Sequence, residues 1–433
     1  MPRKHSIAIG KALRRIARLR GGGSALPGLF IERLEPGFLK DALEGLEHGV
    51  ILVSGTNGKT TTTKMVSEIL QAAGLRVFSN KTGSNFTRGI VSALIEEMDR
   101  DGKLPYDIAV LELDEAHAVH FVKQVQPRVS LFLNVMRDQL DRFGEIDHTA
   151  RLLSVVAGAT TEAVVLNRDD PLIRSLAGNV GKNVSVHYFG AHSNILHLFP
   201  SDDLLQAATK RSGIKQKRAP TEQRSGDVEL AAFKGQLVAY HIGKKLYKAE
   251  LKLNGFYNYL NAAAALATVR IFRPKTSADA LLRALEKVEP AFGRGERVLH
   301  HGKPIEFVLV KNPAGFRLAL ASAKQAKTSE VTMIAINDDF ADGRDMSWLW
   351  DVDFGSLRDA GVQCASGMRA YDMALRLQYD NVTVSEIETD LAKAFKSLLN
   401  KNSGQPMRVY CTYTAMLKLR AIAQKSLGME RAI

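Results

Sequence analysis

Apolar runs alternate with segments of helical spacing along most of this chain. Each short apolar run is followed by a segment in which apolar residues recur every three or four positions. Five such runs precede residue 191, at 50–54, 107–113, 129–134, 163–167 and 184–190. Because repeated β-α units place helices on both faces of a parallel sheet, this pattern predicts an α/β fold built on a buried parallel sheet.

The pattern changes after the fifth run. Residues 191–226 show no regular spacing of apolar residues and are rich in polar and basic side chains, which predicts an irregular insertion. A pair of strands over 228–253 and an alanine-rich helix over 256–272 come next. Strand patterns then return with helices between them, at 305–310, 331–336, 361–366 and 407–411. This return predicts a second α/β domain.

These changes divide the chain into three predicted parts. A basic N-terminal segment covers residues 1–40, a first α/β domain covers 41–297, and a second covers 298–433. The glycine run at 21–23 separates the basic residues near the N-terminus from the body of the chain.

The stretch VILVSGTNGKTTTT, at residues 50–63, joins a predicted strand to a predicted helix through a glycine-rich turn. In such a turn Gly55 and Gly58 let backbone N–H groups approach phosphate oxygens, Lys59 can reach the β- and γ-phosphates, and Thr60 can ligate Mg²⁺. The turn therefore predicts ATP or GTP binding. The alternative is a strand-to-helix turn that contains a lysine by chance.

Acidic residues end the second predicted strand, AVLELDE. Glu112 lies where ligand sites of open α/β sheets form, and its carboxylate suits Mg²⁺. Asp114 and Glu115 are alternatives, and acidic residues at this position also cap helices.

Composition narrows the class of protein. Fifty-nine basic residues against 46 acidic ones give a net charge of +13, which favours an anionic partner: nucleic acid, a phospholipid surface or a phosphorylated substrate. The sequence contains no apolar run of the roughly 20 residues that a membrane span requires, which predicts a cytoplasmic protein. Cys364 and Cys411 lie in short apolar runs, so we expect buried thiols rather than a metal site or a disulfide.

The N-terminal segment allows two interpretations. Seven of its first 20 residues are basic, and Ile9, Leu13, Ile16 and Arg20 fall on one helical face. A helix of this kind lies on an anionic membrane surface or packs one face on its own domain.

Several motifs in order resemble the ATP-binding core of the Mur ligases. They are GTNGKTTT, the strand-end Glu112, NVMRDQLDRFGE, LNRDDP, GFYNYLNAAAALA and GRGER. The resemblance implies a Mur ligase-like central P-loop ATPase domain with a parallel sheet, followed by a C-terminal Rossmann-like α/β domain. It also implies that ATP phosphorylates a carboxylate before an amide bond forms.

The resemblance assigns roles to individual residues. The phosphate-binding turn would comprise Gly55, Thr56, Asn57, Gly58, Lys59, Thr60 and Thr61. Thr60 and Glu112 would hold Mg²⁺, and Lys59 would act with them in phosphoryl transfer. Asn258 and Asn261 would contact the adenine, and Arg294 would act near the nucleotide. Many Mur ligases carry a histidine where this chain has Gln139, which puts a second Mg²⁺ held in the same way in doubt.

The last third of the chain resembles one family within this group. The segments KNPAGF, NDDFADGRDMSWLWDVDF, SGMRAYDMALRL and TYTAM resemble the C-terminal domain of the MurT family. The resemblance implies an ATP-dependent subunit that amidates the D-glutamate α-carboxyl of lipid II to D-isoglutamine in peptidoglycan biosynthesis. A GatD-type glutaminase would supply the ammonia. Many members carry a four-cysteine zinc ribbon, but residues 191–226 contain no cysteine, so we expect no zinc.

The residues also indicate a partner. Neither cysteine lies at a glycine-flanked turn, so the chain has no recognisable glutaminase nucleophile. Trp348 and Trp350 would anchor a partner or fill the domain's own core. By resemblance, an aspartate of this loop would orient the histidine of the partner's Cys-His pair; we favour Asp351, with Asp345 second.

Two other functions fit part of the sequence. One is a free-standing Mur or folylpolyglutamate-type ligase that adds an amino acid. The other is a basic P-loop protein that binds nucleic acid, although no basic stripe with interleaved aromatic residues supports it.

Overall fold

A computed structural model describes most of the chain. The described residues are 4–19, 26–80, 86–137, 146–199, 227–253, 255–290, 294–325, 330–402 and 404–427. Contacts between Cα atoms divide the chain into two compact units. The first unit comprises Met1–Met136, Ile146–Lys252 and Tyr257–Val288, and the second comprises Arg137–Glu145, Leu253–Phe256 and Glu289–Ile433.

The first unit is built on a nine-stranded sheet with the order β2-β3-β1-β4-β5-β6-β7-β8-β9. Its strands are β1 (Val50–Ser54), β2 (Val77–Ser79), β3 (Ile108–Glu112), β4 (Val129–Phe132), β5 (Ala163–Asn167), β6 (Ser185–Ala191), β7 (Val228–Lys234), β8 (Leu237–Ile242) and β9 (Lys245–Glu250). Neighbouring strands are parallel from β2 to β7, and β7, β8 and β9 form antiparallel pairs. Every residue of β1, β3, β4 and β5 is buried, as expected for a parallel sheet covered on both faces.

Helices of the first unit follow the strands as the apolar spacing predicts. They are α1 (Lys4–Leu19), α2 (Leu26–Leu34), α3 (Phe38–Leu43), α4 (Lys59–Ala72), α5 (Thr87–Glu97), α6 (Glu115–Val122), α7 (Ile146–Gly158), α8 (Pro171–Ser175), α9 (Phe256–Phe272) and α10 (Ala278–Leu285). Short 3₁₀ turns occur at Leu176–Asn179 and Leu196–Leu198.

The second unit contains a six-stranded sheet with the order β10-β11-β15-β12-β13-β14. Its strands are β10 (Arg294–His300), β11 (Lys303–Leu309), β12 (Val331–Ala335), β13 (Cys364–Ser366), β14 (Ile387–Glu388) and β15 (Met407–Cys411). All neighbouring strands are parallel except β10 and β11. The helices are α11 (Pro313–Gln325), α12 (Ala370–Tyr379), α13 (Leu391–Lys401) and α14 (Tyr413–Leu427), with 3₁₀ turns at Ser347–Asp351 and Gly355–Leu357.

Most elements predicted from apolar spacing are confirmed. The pattern at 361–366 overestimates a strand, since only Cys364–Ser366 forms β13. The pair of strands predicted over 228–253 is instead three strands, β7 to β9, and β2, β10 and β14 were not predicted. Both cysteines are buried, as expected, and burial raises the pKa of Cys364 to about 11. Within the described residues, no helix combines the length and the apolar character needed to cross a membrane.

One face of α1 packs internally. Ile7 is 2% exposed, and the side chains of Lys11 and Arg14 donate hydrogen bonds to the backbone carbonyls of Met98 and Ser92. Ile9, which the sequence placed on the apolar face, is 42% exposed. The side chains of Ile16 and Arg20 lie outside the described residues, as do residues 200–226 of the insertion predicted at 191–226.

Candidate active site

The turn between β1 and α4 requires glycine at two positions. Gly55 has a φ of 128° and Gly58 a φ of 91°, values that side chains of L-residues rarely adopt. A Cβ atom at Gly55 would lie 2.9 Å from the carbonyl oxygen of Asn134, and one at Gly58 would lie 2.7 Å from Nδ2 of Asn261. The turn therefore packs closely at both glycines, and it places the first backbone N–H groups of α4 at its mouth.

Asn134 fixes the middle of this turn. The Asn57 backbone N–H donates to Oδ1 of Asn134 over 2.9 Å, and Nδ2 of Asn134 donates to the Asn57 carbonyl over 2.9 Å. The Thr56 backbone N–H donates to the Asn134 carbonyl over 2.9 Å, and the Met136 N–H donates to Oγ1 of Thr56. The segment after β4 thus holds the phosphate-binding turn in one shape.

Lys59, the first residue of α4, is 5% exposed and lies among acceptors. Its Nζ donates to the Gly55 carbonyl over 2.7 Å and lies 3.0 Å from Oδ1 of Asp114 and 3.9 Å from Oε2 of Glu115. Burial acts to lower the pKa of Lys59, but the charges of Glu115, Asp114 and Glu112 outweigh it and raise the pKa above its ordinary value. The ammonium is therefore charged at neutral pH.

Thr60 and Glu112 form the other half of the site. Oγ1 of Thr60 donates to Oε1 of Glu112 over 2.9 Å, and Glu112 is 3% exposed. Asn80 holds the Glu112 backbone from both sides, because Nδ2 donates to the Glu112 carbonyl and Oδ1 accepts from the Glu112 N–H. The hydroxyl and carboxylate are adjacent hard oxygen donors, which fits Mg²⁺. Asp114 and Glu115, the alternatives to Glu112, lie beside Lys59 instead.

The two asparagines predicted to contact adenine differ in burial. Asn261 is 8% exposed on α9, beside Gly58, so it lies next to the phosphate-binding turn. Asn258 is half-buried on the same helix. Arg294 begins β10 and pairs with Val308, but its side chain lies outside the described residues, as does Gln139.

The loop that carries Asp345 and Asp351 forms a 3₁₀ turn over Ser347–Asp351. Oδ1 of Asp345 accepts a hydrogen bond from the Ser347 backbone N–H over 2.8 Å, so this carboxylate stabilises the start of the turn. Asp351, at the end of the turn, is exposed, and its backbone carbonyl accepts a hydrogen bond from the guanidinium of Arg317. The two aspartates therefore have different local roles.

The two tryptophans of this turn differ in burial. Trp348 is 4% exposed and its ring centroid lies 6.4 Å from that of Phe316, so it fills the core. Trp350 is 49% exposed and its ring meets Tyr379 edge-on, with centroids 5.1 Å apart. Buried Arg376 lies beneath Trp350 and donates to the carbonyls of Leu349 and Val352.

Two parts of this sequence match models of known protein families. Residues 53–269 match the Mur ligase middle domain and residues 309–416 match the MurT ligase C-terminal domain. The chain is 31% identical, over 93% of its length and 92% of the relative's, to "Lipid II isoglutaminyl synthase (glutamine-hydrolyzing) subunit MurT" of Streptococcus pneumoniae. The protein of that name from Staphylococcus aureus is 30% identical, over 90% of this chain and 91% of the relative. The chain belongs to the MurT family.

A solved structure confirms the Mur ligase fold. The MurF ligase of Thermotoga maritima, crystallised in complex with ADP, aligns with a TM-score of 0.67 at 17% identity, over 90% of this chain and 82% of the other. At that identity the likeness concerns the fold alone. It confirms the predicted Mur ligase-like fold. The family matches and the MurT relatives confirm the predicted class of ATP-dependent ligase.

Three side chains of this MurT-family chain support the site although the sequence did not assign them a role. Each of them forms hydrogen bonds to the backbone. Asn80 and Asn134 hold Glu112 and Asn57 in place, and Asp170 accepts from the Val135 N–H over 2.8 Å. Asn134 and Asp170 follow the predicted strands β4 and β5, and this position was the available signal for both, whereas Asn80 follows β2, which the sequence did not predict.

Substituting alanine for Gly58 is expected to impair nucleotide binding. A positive φ costs a non-glycine residue about 1–2 kcal/mol, and the new Cβ would also press on Asn261. Gly74 is a matched control, because it has the same φ of 91° and no atom within 4 Å of an added Cβ. We expect Gly74→Ala to show the backbone cost alone in thermal unfolding and to keep wild-type nucleotide affinity. Equal affinities in the two variants would contradict the assigned role of Gly58.

Proposed function

We propose that this chain is the ATP-dependent synthetase subunit that amidates the D-glutamate α-carboxyl of lipid II to D-isoglutamine. A carboxylate oxygen attacks the γ-phosphorus of ATP, ADP leaves, and an acyl phosphate forms. Ammonia then attacks the acyl carbon, phosphate leaves, and the nitrogen loses a proton to give the amide. The grouping of Lys59, Thr60 and Glu112 at the turn after β1, in a chain of the MurT family, carries this proposal.

The buried groups of the turn would serve phosphoryl transfer mainly by electrostatics. Lys59 is held in the turn by the Gly55 carbonyl and by Asp114, where its charge would offset that of the terminal phosphates. Oγ1 of Thr60 and the carboxylate of Glu112 would hold Mg²⁺, which supplies further neutralisation of phosphate charge. Asn80 supports this role because it fixes the backbone of Glu112.

The remaining nucleotide contacts are proposed from the family resemblance. The amides of Asn258 and Asn261 can both donate to and accept from the adenine. Asn261 has structural support, since it already lies against the phosphate-binding turn at Gly58. Arg294 would act near the nucleotide.

We propose that a GatD-type glutaminase supplies the ammonia and that Asp351 completes its catalytic triad. Asp351 is favoured over Asp345 because the Asp345 carboxylate already accepts the Ser347 N–H, whereas Asp351 is exposed at the end of a firmly held turn. Guanidinium groups of Arg317 and Arg376 bond to the carbonyls of Asp351 and its neighbours, so the carboxylate would be presented on a rigid backbone.

An apolar surface next to Asp351 supports docking of that partner. Trp350 is 49% exposed, and on α12 Tyr371, Leu375 and Tyr379 are 67%, 48% and 69% exposed. The three α12 residues lie four positions apart and therefore share one helix face. Clustered exposed aromatic residues are typical of protein interfaces.

The direct test is amidation by the co-purified pair. With ATP, Mg²⁺, glutamine and purified lipid II, we expect mass spectrometry to detect replacement of one stem-peptide carboxyl by an amide. Ammonium chloride should substitute for glutamine, and glutamate or another amino acid should not be ligated. Consumption of ATP and glutamine without amide formation, or attachment of an amino acid, would overturn the proposal.

A further inference from the structure

The outer face of α2 exposes large apolar side chains. Leu26, Phe30 and Leu34 are 52%, 56% and 54% exposed, and we call these three residues the α2 stripe. They lie four positions apart, within about 80° of the helix circumference. A row of this kind on a helix surface is a candidate docking surface.

The opposite face of α2 is fixed to its own unit. A Cβ atom at Gly28 would lie 1.9 Å from the carbonyl oxygen of Arg88, so α2 and α5 approach as closely as backbones allow. The Gly28 N–H donates to Oγ of Ser92 over 2.8 Å, and Ile31 is fully buried. Because this face is packed, the α2 stripe has a defined outward orientation.

The charge around the α2 stripe is strongly asymmetric. The sequence before Glu32 contains seven lysine or arginine residues and no aspartate or glutamate. Arg33, adjacent to the α2 stripe in the helical projection, and Arg15 of α1 are exposed. Glu32 lies 3.4 Å from Arg88, and Glu35 is 8% exposed. The surface therefore combines apolar side chains with positive charge.

The apolar surface of the second unit carries both carboxylates and arginines, since Arg369 lies 3.4 Å from Asp372 and Arg317 bonds to the Asp351 carbonyl. Carboxylates of Asp351 and Asp372 accompany its exposed Trp350 and Tyr371. An anionic lipid surface would repel those carboxylates, whereas it would attract Arg33, which lies beside the α2 stripe. Charge therefore favours contact with an anionic lipid surface at the α2 stripe more than at the apolar surface of the second unit.

We propose that the α2 stripe and the basic side chains of α1 and α2 dock this chain on an anionic lipid bilayer. Phe30 and its leucine neighbours enter the boundary between headgroups and acyl chains, while Arg15 and Arg33 contact anionic headgroups. The sequence left α1 as either a membrane-surface helix or an internally packed one, and the proposal gives the apolar contact to α2 instead. Docking of this kind rests on the proposed function, because the proposed substrate, lipid II, lies at such a surface.

Sedimentation with vesicles tests the docking without any amidation assay. We expect the full chain, with its partner if the two co-purify, to bind vesicles of phosphatidylglycerol and phosphatidylcholine at least about tenfold more tightly than pure phosphatidylcholine. Phe30→Ser/Leu34→Ser should weaken binding to the anionic vesicles about tenfold or more. Arg15→Gln/Arg33→Gln should weaken it about fivefold for each charge removed.

A matched control separates docking from general surface hydrophobicity. Leu237 and Leu246 are 48% and 51% exposed on β8 and β9 of the same unit, and their double serine variant should bind as the wild type does. Circular dichroism and thermal unfolding verify that each variant folds.

Three results would overturn the inference: equal binding of the Phe30→Ser/Leu34→Ser variant, equal binding of the wild type to neutral and anionic vesicles, or no binding to either. A wild-type dimer that this variant converts to a monomer without lipid would assign the α2 stripe to a second copy instead. Vesicle binding without amidation would contradict only the proposed function.

Discussion

Lys59→Ala is expected to reduce ATP-dependent amidation by about a thousandfold or more. The substitution removes the buried ammonium that the Gly55 carbonyl and Asp114 hold in the phosphate-binding turn. Without that charge, the backbone N–H groups of α4 remain, but the side-chain cation that offsets the negative charge of the transferred phosphoryl group is lost. Initial rates at saturating ammonium, ATP and lipid II measure the effect independently of the glutaminase.

The same substitution should also lower stability. Lys59 lies among Asp114, Glu115 and Glu112, and Glu115 and Glu112 are each 3% exposed. Removing one member of a buried ion pair leaves uncompensated charge, which typically costs about 3–5 kcal/mol. Denaturant unfolding should show this loss, and activity must therefore be compared at a temperature at which both proteins are folded.

Lys64→Ala provides the matched control for Lys59→Ala. Lys64 belongs to the same helix and pairs with Glu68 over 3.6 Å, one helical turn away, near the surface. Pairs of this kind contribute about 0.5 kcal/mol or less. We expect this variant to keep wild-type activity. Both variants should retain the partner subunit, because the proposed docking surface lies in the second unit; retained amidation in a folded Lys59→Ala protein would refute the role of Lys59.

The sequence predicts the phosphate-binding turn well because its determinants are local. An apolar strand, two glycines, Lys59 and Thr60 succeed one another within a short stretch, and the structure brings them together as expected. Glu112 is more distant in sequence, but it ends a strand that pairs with β1 in parallel, so its meeting with Thr60 is a consequence of the sheet.

Side chains that act through distant backbone groups are harder to predict. Asn80 holds the backbone of Glu112 across 32 positions, and nothing in the sequence around Asn80 marks this role. The sequence around Arg376 is that of an ordinary exposed helical arginine. In the structure Arg376 is only 7% exposed, lies beneath Trp350 and donates hydrogen bonds to two loop carbonyls. The outward face of α2 is also not evident from spacing, because Gly28 sets its orientation by a close approach to α5.

Asp351→Asn is expected to abolish glutamine-dependent amidation and to preserve ammonium-dependent amidation. An aspartate that orients a catalytic histidine contributes about 10⁴-fold to turnover, and the isosteric amide favours the wrong histidine tautomer. The substitution should leave the loop intact, because Arg317 bonds to the backbone carbonyl of residue 351 and Arg376 bonds to carbonyls on either side of it.

Asp345→Asn distinguishes the two candidate aspartates. Asp345 accepts the Ser347 N–H through Oδ1, and the amide oxygen of asparagine can accept the same hydrogen bond. We therefore expect this variant to keep both glutamine-dependent and ammonium-dependent activity. Glutaminase turnover of each variant, assayed as glutamate release by the co-purified pair, gives the comparison. Loss of glutaminase activity in Asp345→Asn, with full activity in Asp351→Asn, would transfer the triad role to Asp345. Loss of ammonium-dependent activity in Asp351→Asn would instead place Asp351 in carboxylate activation, since ammonium bypasses the partner's chemistry.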